Sequence, residues 1–224
     1  MSVLERLRGG LVVSCQTVDG GPMDRPEIVA AMARAAVAGG AAGLRIEGLE
    51  NLRATRPLVE VPVIGIVKRD LADSPVRITV TAADARALIA AGADIVAYDG
   101  TPRPRTDARE DILAAILAGG ALAMADCADL ADGRAALAGG ATVLGTTLSG
   151  YTEETAKGDA GPDFDLIRQF RGLSAFVMAE GRLNTPELAA AAIRAGADAV
   201  TVGSALTRLE LVTGWFADAV RGGR

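Results

Sequence analysis

AGADIVAYD, residues 91–99, places the end of a helix directly before an apolar run. Gly92 follows an alanine-rich stretch, and glycine is the residue that most often ends a helix in the left-handed conformation. From Ile95 the chain is continuously apolar up to Asp99, with no alternation of apolar and polar residues. Such a run is typical of a strand that is buried on both faces of a parallel sheet.

The same junction recurs along the chain, in AGGAAGL (38–44), AGGATVL (138–144) and AGADAV (195–200). Taking Gly40, Gly92, Gly140 and Gly196 as markers, the intervals are 52, 48 and 56 residues. Each interval fits two strand–helix units, so we expect the repeat before the second, fourth, sixth and eighth strands. Alternate strands of a closed barrel contribute to the same interior layers, and this repeat matches that periodicity.

The whole chain alternates apolar runs with alanine-rich amphipathic stretches. The runs predict eight strands, at 10–16, 43–47, 61–69, 95–100, 122–127, 142–147, 174–181 and 199–205. Helices are predicted at 24–38, 49–56, 81–91, 107–118, 129–138, 163–171, 186–195 and 207–220. Eight units of about 28 residues favour one (β/α)8 barrel domain over residues 1–224. A doubly wound open sheet is the alternative, but no dinucleotide-binding fingerprint follows the first strand.

Histidine is absent, and the 23 basic residues are 21 arginines with two lysines, Lys68 and Lys157. The missing imidazole excludes Ser-His-Asp and Cys-His catalysis as well as histidine-ligated metal sites. Acid–base chemistry must therefore use Asp, Glu, Lys, Tyr, Cys or water.

A net charge of −5 and only seven aromatic residues argue against nucleic-acid binding, which needs a basic field and stacking surfaces. Two cysteines, Cys15 and Cys127, form no disulfide framework and indicate a reduced, cytoplasmic protein. The charged N-terminus does not resemble a signal peptide, and no apolar run is long enough to span a membrane.

Polar residues end every predicted strand, and in a (β/α)8 barrel those ends meet at one mouth, where active sites are found. They are Ser14, Cys15 and Gln16; Arg45 and Glu47; Lys68, Arg69 and Asp70; Asp99; Asp126; Thr146 and Thr147; Glu180, Gly181 and Arg182; and Gly203 and Ser204, followed by Arg208.

Lys68 is the candidate acid–base or Schiff-base group, because a lysine can lose its proton when buried and an arginine cannot. The alternative is an ion pair with a neighbouring strand-end carboxylate. Lys157 lies in a loop of mixed charge, EETAKGD, and is interpreted as solvated.

Glycine-containing turns after strands seven and eight, at Gly181-Arg182 and Gly203-Ser204, are typical of phosphate-binding barrels. In the alternative interpretation these glycines only turn the chain. Glu180 is the carboxylate best placed to reach a substrate. Asp126 and Asp99 are either functional or paired with Arg45 or Lys68.

Both cysteines are interpreted as small buried apolar residues, since no histidine is available to activate them. Trp215 and Phe216 are expected to pack within the last helix or at a subunit contact.

The sequence resembles the bacterial N-acetylmannosamine-6-phosphate 2-epimerases over essentially its whole length. The most specific matching segments are GTTLSGYT (145–152) and AEGRLNTP (179–186), supported by LVVSCQ (11–16), PVIGIVKRD (62–70), DGTPRPR (99–105), MAD (124–126) and VGSALTR (202–208).

The resemblance implies a phosphate-binding (β/α)8 barrel that interconverts N-acetylmannosamine 6-phosphate and N-acetylglucosamine 6-phosphate in sialic-acid or amino-sugar salvage. It implies a homodimer that needs no metal or cofactor. By motif match, Lys68 acts at C2, and Glu180 and Asp126 take part in proton transfer or hold substrate groups. The remaining implied contacts are Gln16, Arg45 and Arg208 for the sugar, and Gly181, Arg182, Gly203 and Ser204 for the phosphate.

One departure lies near the expected site, where Ile46-Glu47 replace the Ala-Asn usual in this family. It leaves open an epimerase of a related amino-sugar phosphate. A Schiff-base aldolase that uses Lys68 is the rival enzyme class, and a sugar-phosphate sensor is the non-enzyme alternative.

Overall fold

The computed structural model describes residues 1–156 and 161–223, and the prediction for Lys157 lies outside them. Eight parallel strands close into a barrel in the order β1 to β8, with β8 pairing back onto β1. The strands are β1 Leu11–Cys15, β2 Gly43–Glu47, β3 Val63–Ile66, β4 Ile95–Asp99, β5 Leu122–Asp126, β6 Val143–Gly145, β7 Phe176–Glu180 and β8 Ala199–Val202. This confirms the predicted (β/α)8 barrel.

One helix precedes β1, and helices follow the strands. They are α1 Val3–Leu7, α2 Pro26–Ala38, α3 Leu49–Thr55, α4 Ala82–Ala90, α5 Arg109–Ala118, α6 Leu130–Ala138, α7 Phe164–Arg171, α8 Pro186–Ala195, α9 Ser204–Thr207 and α10 Leu209–Gly222, with a 3₁₀ turn at Arg56–Leu58. Several begin at a side-chain cap, as where Thr81 accepts a hydrogen bond from the Asp84 amide. Within the described ranges, no helix combines the length and apolar character that a membrane span needs.

The repeated glycines end helices as predicted, because Gly40, Gly92, Gly140 and Gly196 all adopt the left-handed conformation, with φ between 96° and 115°. Gly120, before β5, also has a positive φ, of 80°. The four glycines precede β2, β4, β6 and β8, as expected. Because the same junction also occurs before β5, the repeat by itself does not distinguish alternate strands.

Two apolar clusters hold the barrel together. One lies between the sheet and the helices, and the other fills the barrel interior with side chains such as Val12, Ile64, Met124 and Phe176. Helix α1, which the sequence patterns did not predict, places the fully buried Leu7 in the interior cluster. Its side chain occupies the space that a Cβ on Gly43 would need, at the amino end of β2. The apolar filling leaves the polar strand ends at the opposite, carboxyl end of the barrel.

Candidate active site

The site residues continue the interior face of the strands. Successive side chains of a strand point to opposite faces, so positions two apart share a face. Ser14, Asp126 and Glu180 each follow an interior apolar residue by two positions, namely Val12, Met124 and Met178. Lys68 likewise stands two positions after Ile66. The pleat of the sheet therefore turns these polar groups into the barrel mouth.

A cavity of about 600 Å³ opens at the carboxyl ends of the strands. Nine of the ten predicted site residues line it: Gln16, Arg45, Lys68, Glu180, Gly181, Arg182, Gly203, Ser204 and Arg208. Asp126, the tenth, lies behind Arg45 and has no exposed surface.

Arg45 is the centre of a buried ion network. Its guanidinium donates to Asp126 Oδ2 at 2.6 Å, to Asp126 Oδ1 at 3.2 Å and to Glu180 Oε2 at 3.0 Å, with 1% of the arginine exposed. Burial acts to lower its pKa, but the two carboxylates outweigh burial and raise the pKa above the ordinary value. Asp126 also accepts a hydrogen bond from the Thr147 hydroxyl at 2.7 Å.

Glycine at position 145 leaves room for this network. A Cβ there would stand 2.6 Å from Met124 Cε and 3.0 Å from Asp126 Oδ1. Because Asp126 is enclosed by these groups, the geometry supports a role in holding Arg45 and Glu180. Asp126 does not line the cavity, so the geometry gives no direct support to either role that the resemblance implied for it, proton transfer or holding substrate groups.

Lys68 donates from Nζ to Gln16 Oε1 at 2.5 Å, and Gln16 Nε2 donates in turn to Ser14 Oγ at 2.6 Å. The bonded partner of the amine is thus a neutral amide, in contrast to the carboxylate pair considered as the alternative. Burial lowers the pKa of Lys68 to about 8, helped by the positive charges of Arg45 and Arg208. A minor neutral fraction is therefore available at pH 7, and it grows as the pH rises towards 8.

Glu180 shows the opposite shift. Burial raises its pKa to about 7, the negative charge of Asp126 adds to the rise, and the Arg45 and Lys68 cations oppose it. Lys68 and Glu180 consequently change protonation within a narrow range around neutrality, as a general acid–base pair should.

The turns after β7 and β8 present free backbone amides. The N–H groups of Gly181, Arg182, Gly203 and Ser204 donate no hydrogen bond to any described residue. Gly181 and Arg182 both have positive φ angles, of 108° and 56°, and Ser204 begins α9. Amides grouped in this way, with one set at a helix N-terminus, suit an anion.

Asp99 lines the cavity, but it pairs with neither Lys68 nor Arg45. It accepts hydrogen bonds from Arg103 at 2.6 Å and from Arg105 at 3.1 Å, and so fixes the loop that follows β4. The DGTPRPR segment already placed these arginines four and six residues after the acid, a spacing that could have signalled the pairing.

Glu47 directs its carboxylate at the backbone of Lys68. Its Oε1 accepts a hydrogen bond from the Lys68 amide at 3.1 Å, and burial raises its pKa. Cys15 and Cys127 are free and buried, as expected. Burial raises the pKa of Cys15 to about 12 and that of Cys127 well above its ordinary value.

Solved structures show the same architecture. The N-acetylmannosamine-6-phosphate 2-epimerase from Clostridium perfringens matches with a TM-score of 0.93 at 35% identity, covering 98% of this chain and 96% of that one. A thiamine phosphate pyrophosphorylase from Pyrococcus furiosus, 18% identical with a TM-score of 0.63 and coverage of 92% and 90%, shares the fold alone. The class is therefore a (β/α)8 barrel with a polar cavity at the carboxyl ends of its strands.

Sequence comparison identifies the family within that class. The family model described as "Putative N-acetylmannosamine-6-phosphate epimerase" matches residues 29–222. Relatives named "Putative N-acetylmannosamine-6-phosphate 2-epimerase" are 58% identical over 219 residues in Pasteurella multocida and 56% identical over 222 in Haemophilus influenzae. The alignments cover 98% and 99% of this chain, and 95% and 96% of the relatives. This chain belongs to the N-acetylmannosamine-6-phosphate epimerase family, and it is an epimerase.

Proposed function

We propose that this protein interconverts N-acetylmannosamine 6-phosphate and its C2 epimer, N-acetylglucosamine 6-phosphate. The observation that carries the proposal is that Lys68 and Glu180 approach one cavity from opposite walls. Lys68 follows β3 and Glu180 ends β7, four strands apart in a closed ring of eight. A carbon between them has a proton-transfer group on each face, which inversion requires.

The reaction needs an acidic C2 proton. Opening of the sugar ring leaves an aldehyde at C1, so the carbanion formed when C2 loses its proton is delocalised as an enolate. One of Lys68 and Glu180 removes the proton, and the other returns one to the opposite face. Because their pKa values are about 8 and about 7, proton donor and acceptor are closely matched.

The free amides of the β7 and β8 turns support binding of the 6-phosphate by Gly181, Arg182, Gly203 and Ser204. Arg208 donates from Nε to the Gln16 backbone oxygen at 3.2 Å, and we assign both residues to the sugar side of the cavity. Arg45 holds Glu180 in position, and Asp126 holds Arg45.

Incubation with N-acetylmannosamine 6-phosphate in D2O tests the proposal by NMR. We expect deuterium at C2 together with conversion to the gluco epimer. Folded protein that catalyses neither exchange nor conversion would refute the activity. The rival Schiff-base aldolase predicts a reduced covalent adduct at Lys68 after borohydride treatment with substrate, whereas proton transfer predicts none.

Amino-sugar salvage, including the use of sialic acid, is the metabolic setting that we propose, in the cytoplasm. The support is the phosphorylated amino-sugar substrate and the two buried free cysteines. Glu47 does not change the proposed substrate, since its described hydrogen bond is to the Lys68 backbone and it is not among the described residues lining the cavity.

The last helix supports a homodimer as the working assembly. Helix α10 has no buried residue, and Phe216, Val220 and Leu209 are 70%, 67% and 62% exposed. A second, mostly apolar cavity of about 420 Å³ lies along α8, β8 and α9, where the outer helix after β8 packs in a (β/α)8 barrel. We propose that α10 of a second copy covers this groove.

Phe216→Asp is expected to convert the dimer to a monomer, because it places a charge in the proposed apolar contact. Sedimentation velocity at micromolar concentrations measures the change. Leu58→Asp, at a 52% exposed leucine outside both cavities and α10, is the matched control and should stay dimeric. A wild-type monomer, or a Phe216→Asp protein as dimeric as the wild type, would exclude the proposed interface.

A further inference from the structure

Three buried side-chain atoms have no hydrogen-bond partner in the described part of the chain: Arg45 Nε, Thr55 Oγ1 and Thr201 Oγ1. Buried polar groups are nearly always bonded, because leaving one unpaired costs free energy. Other buried threonine hydroxyls follow this rule, as Thr79 bonds to the Ala97 backbone oxygen and Thr207 to that of Ser14. The unpaired atoms therefore call for a physical explanation.

Thr201 lies in the cavity wall between Glu180 and the proposed phosphate-binding turns. It lines the cavity on β8, is 1% exposed, and lies in register with Glu180 on the neighbouring strand β7. Gly203, one of the proposed phosphate-binding residues, follows two positions later on the same face. Arg45 lines the same cavity, whereas Thr55 lies at the end of α3, outside it.

The proposed function determines how a substrate would be oriented next to Thr201. With the 6-phosphate at the β7 and β8 turns and C2 between Lys68 and Glu180, carbons 3 to 5 must lie between those positions. Two residues along a strand correspond to about 6.6 Å. In this arrangement, Thr201 is the β8 residue nearest the part of the sugar that carries the C3 and C4 hydroxyls.

We propose that Thr201 contacts the substrate, its hydroxyl forming a hydrogen bond with the C3 or C4 hydroxyl of the sugar phosphate; this rests on the proposed function. The threonine hydroxyl can both donate and accept, so it matches a sugar hydroxyl in either sense. Its missing protein partner is then supplied by the substrate. Specificity follows, because a substrate lacking that hydroxyl leaves Thr201 unpaired in the complex.

Thr201→Val tests the assignment, since valine keeps the branched shape and removes only the hydroxyl. We expect kcat/KM for N-acetylmannosamine 6-phosphate to fall about 10-fold, while the melting temperature is unchanged or higher. Thr55→Val is the matched control, because it removes the other buried unpaired threonine hydroxyl. It should leave kcat/KM within twofold of the wild type.

Deoxy substrates distinguish a direct hydrogen bond between Thr201 and the sugar from an indirect structural effect of the substitution. The 3-deoxy and 4-deoxy analogues are compared with the parent sugar phosphate in wild type and Thr201→Val. In the wild type, one of the two analogues should have a lower kcat/KM than the parent sugar phosphate. In Thr201→Val that difference should nearly vanish, since the threonine hydroxyl that would bond to the missing sugar hydroxyl is already absent. Unchanged kinetics of Thr201→Val, or equal losses in both proteins for both analogues, would overturn the assignment.

The two proposals can fail separately. If wild-type protein lacks C2 exchange, the proposed function fails, and binding of N-acetylglucosamine 6-phosphate by calorimetry then tests Thr201 alone. A weaker affinity for Thr201→Val than for Thr55→Val would support the contact, and equal affinities would refute it.

Discussion

Replacement of Lys68 by methionine is expected to lower kcat/KM about 1,000-fold or more. The variant loses the amine that Gln16 orients and that burial holds near a pKa of about 8. A positioned general acid–base group contributes roughly 100- to 10,000-fold to a proton-transfer step. C2 exchange in D2O should fall with turnover, because both depend on the same proton transfer.

The same replacement should stabilise the protein at pH 7, by up to about 3 kcal/mol. The pKa of Lys68 is lower in the folded protein, about 8, than the ordinary 10.5. Below pH 8 the amine is protonated in both states, so its burial costs stability in full. Between pH 8 and 10.5 the folded protein holds fewer protons than the unfolded chain, and wild-type stability rises with pH. Urea denaturation should show the advantage of methionine at pH 7 and its loss near pH 10.5.

Lys68→Arg is the control for charge. It keeps a cation that cannot release its proton at these pH values, so we expect it to be nearly as inactive as Lys68→Met. Activity of Lys68→Arg close to the wild type would show that Lys68 acts by charge alone and moves no proton.

Arg45→Met is expected to destabilise the protein by about 3–5 kcal/mol, the range for breaking a buried ion pair from one side. Two carboxylates would lose their partner in this case, and the side chain of Asp126 is fully buried. Arg53→Met is the matched control. Arg53 pairs with Glu50 on the exposed surface of α3, so its loss should cost about 0.5 kcal/mol or less.

Asp126→Asn in the Arg45→Met background should recover part of the lost stability, because it removes the stranded charge. Chemical denaturation of the two single variants and the double variant at a fixed protein concentration completes the cycle. A cost below 1 kcal/mol for Arg45→Met, or additive losses in the double variant, would contradict the network described for the site.

Much of the fold was accessible from the sequence. Strands buried on both faces read as continuous apolar runs, and the predicted run 43–47 coincides with β2. Helix α1 was missed because five residues ahead of the first strand show no complete amphipathic period. Its contribution depends on Leu7 reaching the barrel interior, which is a contact between distant parts of the chain.

The sequence predicted which residues surround the cavity, but not which of their charged side chains form ion pairs with each other. The strand-end rule found the residues around the cavity, since the pleat alone determines which positions face inward. It could not tell which cation meets which carboxylate, because long side chains reach across the barrel. Arg45 on β2 forms ion pairs with Asp126 on β5 and Glu180 on β7. Asp99 forms ion pairs with arginines in its own loop. The sequence likewise could not show that the Thr201 hydroxyl is unpaired, because this depends on the positions of its neighbours in the folded protein.

Helix α10 links the two surfaces of the molecule. Leu211 and Trp215 line the catalytic cavity, while Phe216 and Val220 on the same helix remain exposed. Any ligand that orders the cavity wall therefore acts on the helix assigned to the dimer contact. By thermodynamic reciprocity, substrate that binds the dimer more tightly than the monomer must strengthen dimerisation by the same factor. For the proposed dimer, dilution would then weaken the apparent affinity for substrate, so turnover per protein molecule would depend on protein concentration.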